Sequence, residues 1–246
     1  MPLKEQRSFR HIVLSAVIAG LITGVLLTFV QLLTTVPLIA QAEQYEQQGA
    51  SAVVSEAAAQ HEINSHDHGS SAWAPKDGFE RTFYTGVTTV LTAIAYALLL
   101  GACFSQLRSV GWKTGLALGV AGFLVFQLTP ALGLPPRPPG ALYADLAARQ
   151  IWWVGTAIAT ALALASWWYA RSHSRAIWIP VGIMLFLLPH VIGAPQPVAG
   201  QVAIVPHEFS QRFALMALLT AGLFWLVLGS VQGFVFDRLG QRSAVG

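Results

Sequence analysis

Charged residues are scarce in this sequence. Asp, Glu, Lys and Arg make up 10% of its 246 residues, whereas a soluble domain carries about 25%. Hydrophobic residues account for 54% of the chain. This composition excludes an ordinary soluble protein and indicates an integral membrane protein.

Several chemical motifs are missing as well. Cys103 is the single cysteine, so neither a disulfide framework nor a cysteine-based metal centre can form. No basic patch interleaved with aromatic residues is present, so nucleic acid is not expected as a partner. The sequence has no nucleophile motif, no phosphate-binding glycine loop and no His-x-x-x-His within an apolar run. We therefore predict that the protein is not an enzyme and holds no permanently bound cofactor.

Six apolar windows lack Asp, Glu, Lys and Arg and approach or exceed the roughly 20 residues that cross a bilayer as a helix. They cover residues 12–30, 83–104, 115–134, 151–170, 176–193 and 213–236. Helices satisfy their own backbone hydrogen bonds in lipid, and these windows are too long for barrel strands. The prediction is an all-α integral membrane protein, a bundle of about six transmembrane helices with a long outer loop between the first and the second.

These windows divide the chain into four segments. Residues 1–36 form a cytoplasmic N-terminus and the first transmembrane helix, 37–82 an outer histidine-containing loop, 83–236 a five-helix transmembrane core, and 237–246 a cytoplasmic tail. Residues 41–62 are rich in Ala, Glu and Gln, good helix formers that can extend the first helix into solvent. Residues after Asn64 contain Ser, Gly and Pro and predict flexible coil.

The positive charges are distributed unevenly between the two sides of the predicted bundle. Nine of the 14 Lys and Arg residues flank the spans on the side of the N-terminus, so we predict that both termini are cytoplasmic. An alternative is that "AQA" at residues 40–42 is a signal-peptidase site. A retained first helix is favoured, because the first window exceeds the 7 to 15 residues that are typical of a signal peptide.

Two predicted outer helix ends share a pattern, "LTPALGLPP" and "LLPHVIGAPQP". Pro130 and Pro189 lack an amide hydrogen, which frees the carbonyls of Phe126 and Leu185, and broken helices of this kind coordinate ions in transporters. Proline is also tolerated in ordinary membrane helices. His190 is the one histidine within the six windows, and it is a metal ligand or a packing residue.

Further polar residues lie at the depth of these helix ends. One interpretation is an outer vestibule of carboxylates and imidazole, and the other is helix-surface ion pairs, since Asp145 with Arg149 and Glu208 with Arg212 are spaced i, i+4. The vestibule candidates are Glu80, Asp145, Arg149, His207 and Glu208.

The run "HEINSHDHG" at residues 61–69 predicts a metal-capturing loop. Imidazole and carboxylate ligands suit cobalt, nickel, copper and zinc. We assign His61, His66, Asp67 and His68 as candidate ligands, with affinity that falls below about pH 6.5 as imidazole is protonated. The alternative is a hydrophilic loop that contains three histidines by chance.

Glycines four residues apart recur within three of the windows. Gly20 with Gly24, Gly115 with Gly119, and Gly229 with Gly233 follow this spacing. Such pairs predict close approach of helix backbones.

The stretches "GFERTFYT", "GLALGVAGFLVFQLTPALGLPPRPPGALYADLAARQIWW", "LLPHVIGAPQP" and "FWLVLGSVQG" resemble the CbtA family of probable cobalt transporter subunits, over residues 78–236. The resemblance implies a bacterial inner-membrane protein that works with CbtB, a short single-span protein with a histidine-bearing tail, in cobalt supply for cobalamin. Members are usually described with about five spans, so it also implies that one window at a terminus does not cross. Family members often have an outer loop with histidines, which His61, His66 and His68 match. Arg137 stands where the family usually has an acidic residue, which argues against position 137 as a ligand.

We therefore predict a membrane subunit for uptake of divalent cobalt, or of nickel as its chemical neighbour. The ion is collected by the histidine loop, passes the vestibule with His190 and His207, and crosses between helices loosened at Pro130 and Pro189. A homo-oligomer is compatible with this prediction. The alternative is a metal-binding membrane scaffold or sensor without transport activity.

Overall fold

The computed structural model describes residues 2–58, 75–76, 78–107, 109–198, 200 and 203–245. Its regular elements are helices throughout these residues. They are α1 (Pro2–Leu33), α2 (Thr35–Ala58), α3 (Phe79–Phe104), α4 (Trp112–Gly133), α5 (Leu146–His173), α6 (Trp178–Ile192) and α7 (His207–Val245). The fold confirms the predicted all-α membrane bundle.

Five helices are long and apolar enough to cross a membrane. The candidate spans are Phe9–Leu33, Phe79–Phe104, Trp112–Gly133, Leu146–His173 and His207–Gln241. The window at residues 176–193 corresponds to α6, an apolar helix of 15 residues. At 1.5 Å per residue, α6 is about 22 Å long, shorter than a hydrocarbon core of about 30 Å. The short member of the six therefore lies inside the chain and not at a terminus.

Neighbouring helices in the centre of the bundle run antiparallel, and glycines allow their close contact. A Cβ built on Gly20 of α1 would lie 2.6 Å from the Cα of Ile94 in α3, and one on Gly24 would lie 2.6 Å from the Cα of Val90. No larger side chain fits there without moving a backbone. This confirms the packing predicted for the first glycine pair.

The other two glycine pairs face each other across α4 and α7. A Cβ on Gly119 would lie 3.2 Å from the Cα of Gly229, and one on Gly115 would lie 2.9 Å from the Cα of Gly233. Close backbone approach increases van der Waals contact, the main attraction between helices in lipid. These glycines therefore join α4 to α7 along their length.

Helices α5 and α6 form a second antiparallel pair beside this centre. Trp152 Nε1 donates to the carbonyl of Pro189 over 3.2 Å at one end, and Trp167 Nε1 donates to the carbonyl of Ile179 over 3.3 Å near the other. The ring of Trp153 in α5 lies 6.3 Å from Phe126 in α4. The pair is therefore attached to the bundle through α4.

Helix α2 confirms that the first helix is followed by further helix, after a turn at Thr34. Leu38 and Ala42 are buried against Val205 and Phe209, next to the first turn of α7. Glu43 forms a two-pronged ion pair with Arg81 at the start of α3, with 3.1 Å between Arg81 Nη1 and Glu43 Oε2. These contacts hold α2 against one end of the bundle.

The antiparallel pairs bring the ends of α1, α4 and α6 together with the starts of α3, α5 and α7. This end of the bundle, from which α2 continues, is called the α2 end below. The opposite end, which includes Phe9 and Phe104, is called the N-terminal end.

Candidate functional site

A cavity of about 430 Å³ lies between α1, α3, α4 and α7, in the half of the bundle nearest the α2 end. It is called the threonine cavity below. Its polar lining residues are Gln31, Thr35, Thr88, Thr89, Thr92, Tyr96, Gln127 and Thr220. Neutral hydroxyl and amide side chains thus supply eight of its fourteen lining residues, although apolar groups form most of its surface.

The sequence of α3 explains one wall of the cavity. Thr88, Thr92 and Tyr96 are four residues apart, so they fall on one face of a helix. Thr89 donates a hydrogen bond to Gln31 Oε1 over 3.1 Å, which joins α3 to α1 at the cavity. The wall is thus a stripe of hydroxyls with one amide fixed against it.

Helix α4 contributes another part of the cavity lining, at a point where its regular backbone hydrogen bonding is interrupted. Residues Leu124–Leu128 form a wide turn, in which the amide of Thr129 donates to the carbonyl of Leu124, five residues back. This turn directly precedes Pro130, which cannot donate, and wide turns of this kind occur often at functional sites. Gln127, which lines the cavity, belongs to this turn.

An aromatic cluster closes the threonine cavity toward the N-terminal end. Tyr96 and Phe224 line the cavity, and the ring of Tyr96 lies 4.8 Å from that of Trp225. Phe126 stacks on Trp225 at 5.6 Å. Trp225 is fully buried, so these four rings separate the cavity from the other half of the bundle.

Polar atoms are also buried in the spans at and beyond the aromatic cluster. Gln232 Nε2 donates to the hydroxyl of Ser15 over 3.2 Å and to the carbonyl of Ala97 over 3.3 Å. Within the described residues, Gln232 Oε1, Thr23 Oγ1 and Trp225 Nε1 are buried without a hydrogen-bond partner. Each unpaired group costs about 1–3 kcal/mol, so all three call for a structural or functional reason.

The histidine loop lies outside the described residues: His61, His66, Asp67 and His68 have no described position. In the rest of the chain that the structure describes, no group of three or more His, Cys, Asp or Glu side chains is close enough to hold a metal ion.

His190 lies in the last turn of α6 and packs between aromatic rings. Its ring is 5.9 Å from that of Trp152 and 6.0 Å from that of Phe186. Nε2 is buried and has no partner among the described residues. The carbonyl of the buried Pro189 accepts from Trp152 Nε1 and, over 3.1 Å, from the amide of Gly193. That carbonyl is therefore occupied by protein donors.

His207 and Glu208 begin α7 at the α2 end, and both are exposed. His207 Nε2 lies 3.0 Å from Gln211 Nε2. His207 lines a cavity of about 530 Å³ together with Arg137 and Ser210. Pro136 borders both this cavity and the threonine cavity, so the two adjoin.

The remaining vestibule candidates have separate local roles. Glu80 is half-buried in the first turn of α3. Asp145 caps α5, since its Oδ1 accepts from the amide of Ala148 over 2.9 Å. Arg149 instead lies over the ring of Tyr143, with 4.6 Å from its guanidinium carbon to the ring centre. Asp145 and Arg149 thus have different partners.

The threonine cavity contains none of the predicted site residues, since charge and histidine are both absent from its described lining. The available signal was the run "TGVTTVLTAIAY" at residues 85–96, with the glutamines at positions 31 and 127. Amides and hydroxyls at helical spacing are the feature that would have indicated a polar face inside the bundle.

A bundle of apolar helices with a polar cavity between four of them defines a multi-pass membrane protein. Residues 9–237 match the family described as "Probable cobalt transporter subunit (CbtA)". The chain belongs to the CbtA family, and the match confirms the resemblance and extends it through α1. No curated protein and no solved structure matches the chain.

Proposed function

We propose that this chain carries divalent cobalt across the bacterial inner membrane as one subunit of an uptake system, and that the threonine cavity is part of the ion path. The observation that supports this path is a cavity partly lined by hydroxyl and amide groups inside the helix bundle of a cobalt-transporter family member. Polar groups in spans are costly and therefore mark function.

The size and the chemistry of the cavity suit a hydrated cation. Six water molecules at about 30 Å³ each occupy roughly 180 Å³, which is less than the 430 Å³ of the threonine cavity. Hydroxyl and amide oxygens can accept hydrogen bonds from such waters or replace them. Neutral ligands bind weakly enough for the ion to leave, as conduction requires.

The path beyond the cavity is closed in this conformation. Movement of Tyr96 or Trp225 would connect the cavity to two unpaired oxygens, Thr23 Oγ1 and Gln232 Oε1. Thr23 is buried one turn before Leu27 in α1, and Gln232 is buried about two turns after Phe224 in α7. These oxygens would then receive the ion or its waters. Their lack of partners supports this role, because a second conformation would satisfy them.

The α2 end is the proposed site of ion capture. The distribution of Lys and Arg predicts that this end faces the outer side of the membrane and that both termini are cytoplasmic. The proposed ligands are His61, His66, Asp67 and His68, followed by His207 in the cavity that adjoins the threonine cavity. The carboxylates of Glu80, Asp145 and Glu208 attract cations to the same end.

Four predicted residues have altered roles in this proposal. Pro130 acts through the wide turn that precedes it and contains Gln127. His190 and Pro189 are left out of the path, because they pack on Trp152 away from the helices that line the threonine cavity. Arg149 is left out because it lines neither the threonine cavity nor the cavity of His207.

Metal selectivity requires more than these ligands. Nitrogen and oxygen ligands bind nickel, copper and zinc at least as well as cobalt. We therefore propose that a partner supplies selectivity, a short single-span CbtB-like subunit with a histidine-bearing tail.

Uptake of radiolabelled cobalt by cells tests this function. Cells with the partner subunit are compared with and without this chain, and with a variant in which His61, His66 and His68 are all replaced by Ala. We expect the chain to raise uptake and the triple variant to reduce it at low cobalt concentration. Equal uptake with and without the chain would refute transport, and cobalt binding by the purified chain in that case would identify a scaffold or sensor.

A further inference from the structure

A further cavity of about 700 Å³ at the α2 end has no part in the proposed metal path, although it shares Arg137 with the cavity of His207. It lies where the end of α4 meets the start of α5 and is called the arginine cavity below. Arg137, Tyr143, Arg149, Gln150 and Trp153 are among its lining residues. None of its described lining residues is acidic, so the cavity is electrostatically suited to an anion.

Arg149 has donors that the protein does not use. Its guanidinium lies over the ring of Tyr143, and its Nε is buried with no acceptor among the described residues. Asp145, one turn earlier, bonds the backbone amide of Ala148 instead. A guanidinium carries five N–H donors, and a half-buried charge without a counter-ion is destabilising. An anion in the arginine cavity, which Arg149 lines, would supply this counter-ion.

Arg137 is held close to the same position by its loop. Its Nη1 donates to the carbonyl of Leu142, and the hydroxyl of Tyr143 donates to the carbonyl of Arg137 over 2.9 Å. Burial raises the pKa of Tyr143, whereas the charges of Arg149 and Arg137 oppose that rise. Both guanidiniums therefore act on one hydroxyl at the rim of the cavity. Glu46 acts on this hydroxyl in the opposite sense, but it does not line the cavity.

We propose that the arginine cavity binds a phosphate oxyanion between Arg137 and Arg149, with the side-chain amide of Gln150 as a neutral donor. A guanidinium group can donate two parallel hydrogen bonds to two phosphate oxygens, which is a bidentate geometry. The cavity lies at the ends of two spans, beside Tyr143 and Trp153, which is the depth where aromatic side chains meet lipid headgroups. The phosphate therefore comes from a lipid headgroup or from soluble phosphate, and the test separates the two.

The test uses the purified full-length chain. In one arm, inorganic phosphate is titrated in zwitterionic detergent while the unfolding temperature is followed. In the other arm, the chain is incubated with vesicles of equal parts phosphatidylglycerol and phosphatidylcholine, and native mass spectrometry counts the phosphatidylglycerol that stays bound. The variants are Arg149→Gln, Arg137→Gln and Arg149→Lys. Arg212→Gln is the matched control, because Arg212 is exposed at the same end of the bundle and lies outside the arginine cavity.

We expect Arg149→Gln and Arg137→Gln each to weaken binding about tenfold or more, as for a lost charge-assisted hydrogen bond. Arg149→Lys should weaken it less, since it keeps the charge and loses only the fork. A loss confined to the vesicle arm identifies a lipid headgroup, and a loss in the phosphate arm identifies soluble phosphate. Equal effects of Arg149→Gln and Arg212→Gln in both arms, or no binding in either arm, would overturn the proposal. Arg149→Lys tests it if the glutamine variants do not fold.

Discussion

Gln232 of α7 donates a hydrogen bond to the hydroxyl of Ser15 in α1 across 3.2 Å. Both side chains are completely buried, and the bond joins the first and the last spans in the half of the bundle beyond the aromatic cluster. The other polar atom of the same amide, Oε1, has no partner among the described residues. One side chain thus combines a structural contact with an unused oxygen.

Replacement of Gln232 by Leu separates these two roles. The substitution removes the hydrogen bonds and the unpaired oxygen together, so the free energy of unfolding should change by less than about 1 kcal/mol. Cobalt uptake should fall about tenfold if Oε1 serves the ion path, as for one lost oxygen ligand. Ser15→Ala is the control, because it removes the same bond and leaves the amide in place. Normal uptake in a folded Gln232→Leu protein would remove Gln232 from the path.

The contact between α4 and α7 predicts a strong effect of a single methyl group. Gly119→Ala should lower the free energy of unfolding by about 1–3 kcal/mol, because the added Cβ meets the backbone of Gly229 and Trp225. Gly155→Ala is the matched control in α5, since a Cβ there has no neighbour within 4 Å. Thermal unfolding in detergent measures both. Equal stability of the two variants would show that α4 and α7 are not packed as described.

The ion pair between Glu43 and Arg81 predicts a small and salt-sensitive stabilisation. The two side chains are 33% and 41% exposed, so solvent screens the pair and its coupling energy should stay below about 1 kcal/mol. A double-mutant cycle with Glu43→Gln and Arg81→Gln measures it from thermal unfolding at two salt concentrations. Coupling that persists at high salt would contradict a screened surface pair.

Two substitutions of His190 test whether this residue is a metal ligand or a packing residue. Its ring contacts Trp152 and Phe186, so His190→Phe should preserve this packing, the thermal stability and cobalt uptake. His190→Ala should lower stability, since it leaves a gap beside two aromatic rings. A folded His190→Phe variant with reduced uptake would restore His190 as a metal ligand.

Much of the fold could be predicted because lipid imposes it. A helix in a hydrocarbon core must be long and apolar, and the windows at residues 12–30, 83–104 and 213–236 each lie inside an observed helix. The glycine pairs were also informative, since a missing side chain marks a backbone contact wherever the helix turns. The length of α6 could not be predicted as well, because an apolar run does not show where a helix ends.

The threonine cavity could not be predicted in the same way. A threonine in a span commonly bonds its own helix, as Thr160 does when it donates to the carbonyl of Thr156 over 2.8 Å. Thr89 instead reaches Gln31 of α1. The two cases look alike in sequence, since the difference depends on how neighbouring helices are rotated and on the wide turn before Pro130. The partners of Asp145 and Arg149 could not be predicted either. Their spacing suits an ion pair, whereas Asp145 bonds a backbone amide and Arg149 lies over an aromatic ring.

Cobalt uptake by variants of the threonine cavity tests the central claim most directly. Gln31→Leu and Thr89→Val remove polar groups from the cavity wall without large changes in side-chain volume, whereas Thr160→Val makes the same change at a buried threonine of α5 outside the cavity. All three should accumulate in the membrane to similar levels. The account predicts that Gln31→Leu and Thr89→Val lower the initial rate of radiolabelled cobalt uptake about tenfold, as for one lost polar contact, and that Thr160→Val does not. Unchanged uptake in both cavity variants would contradict it.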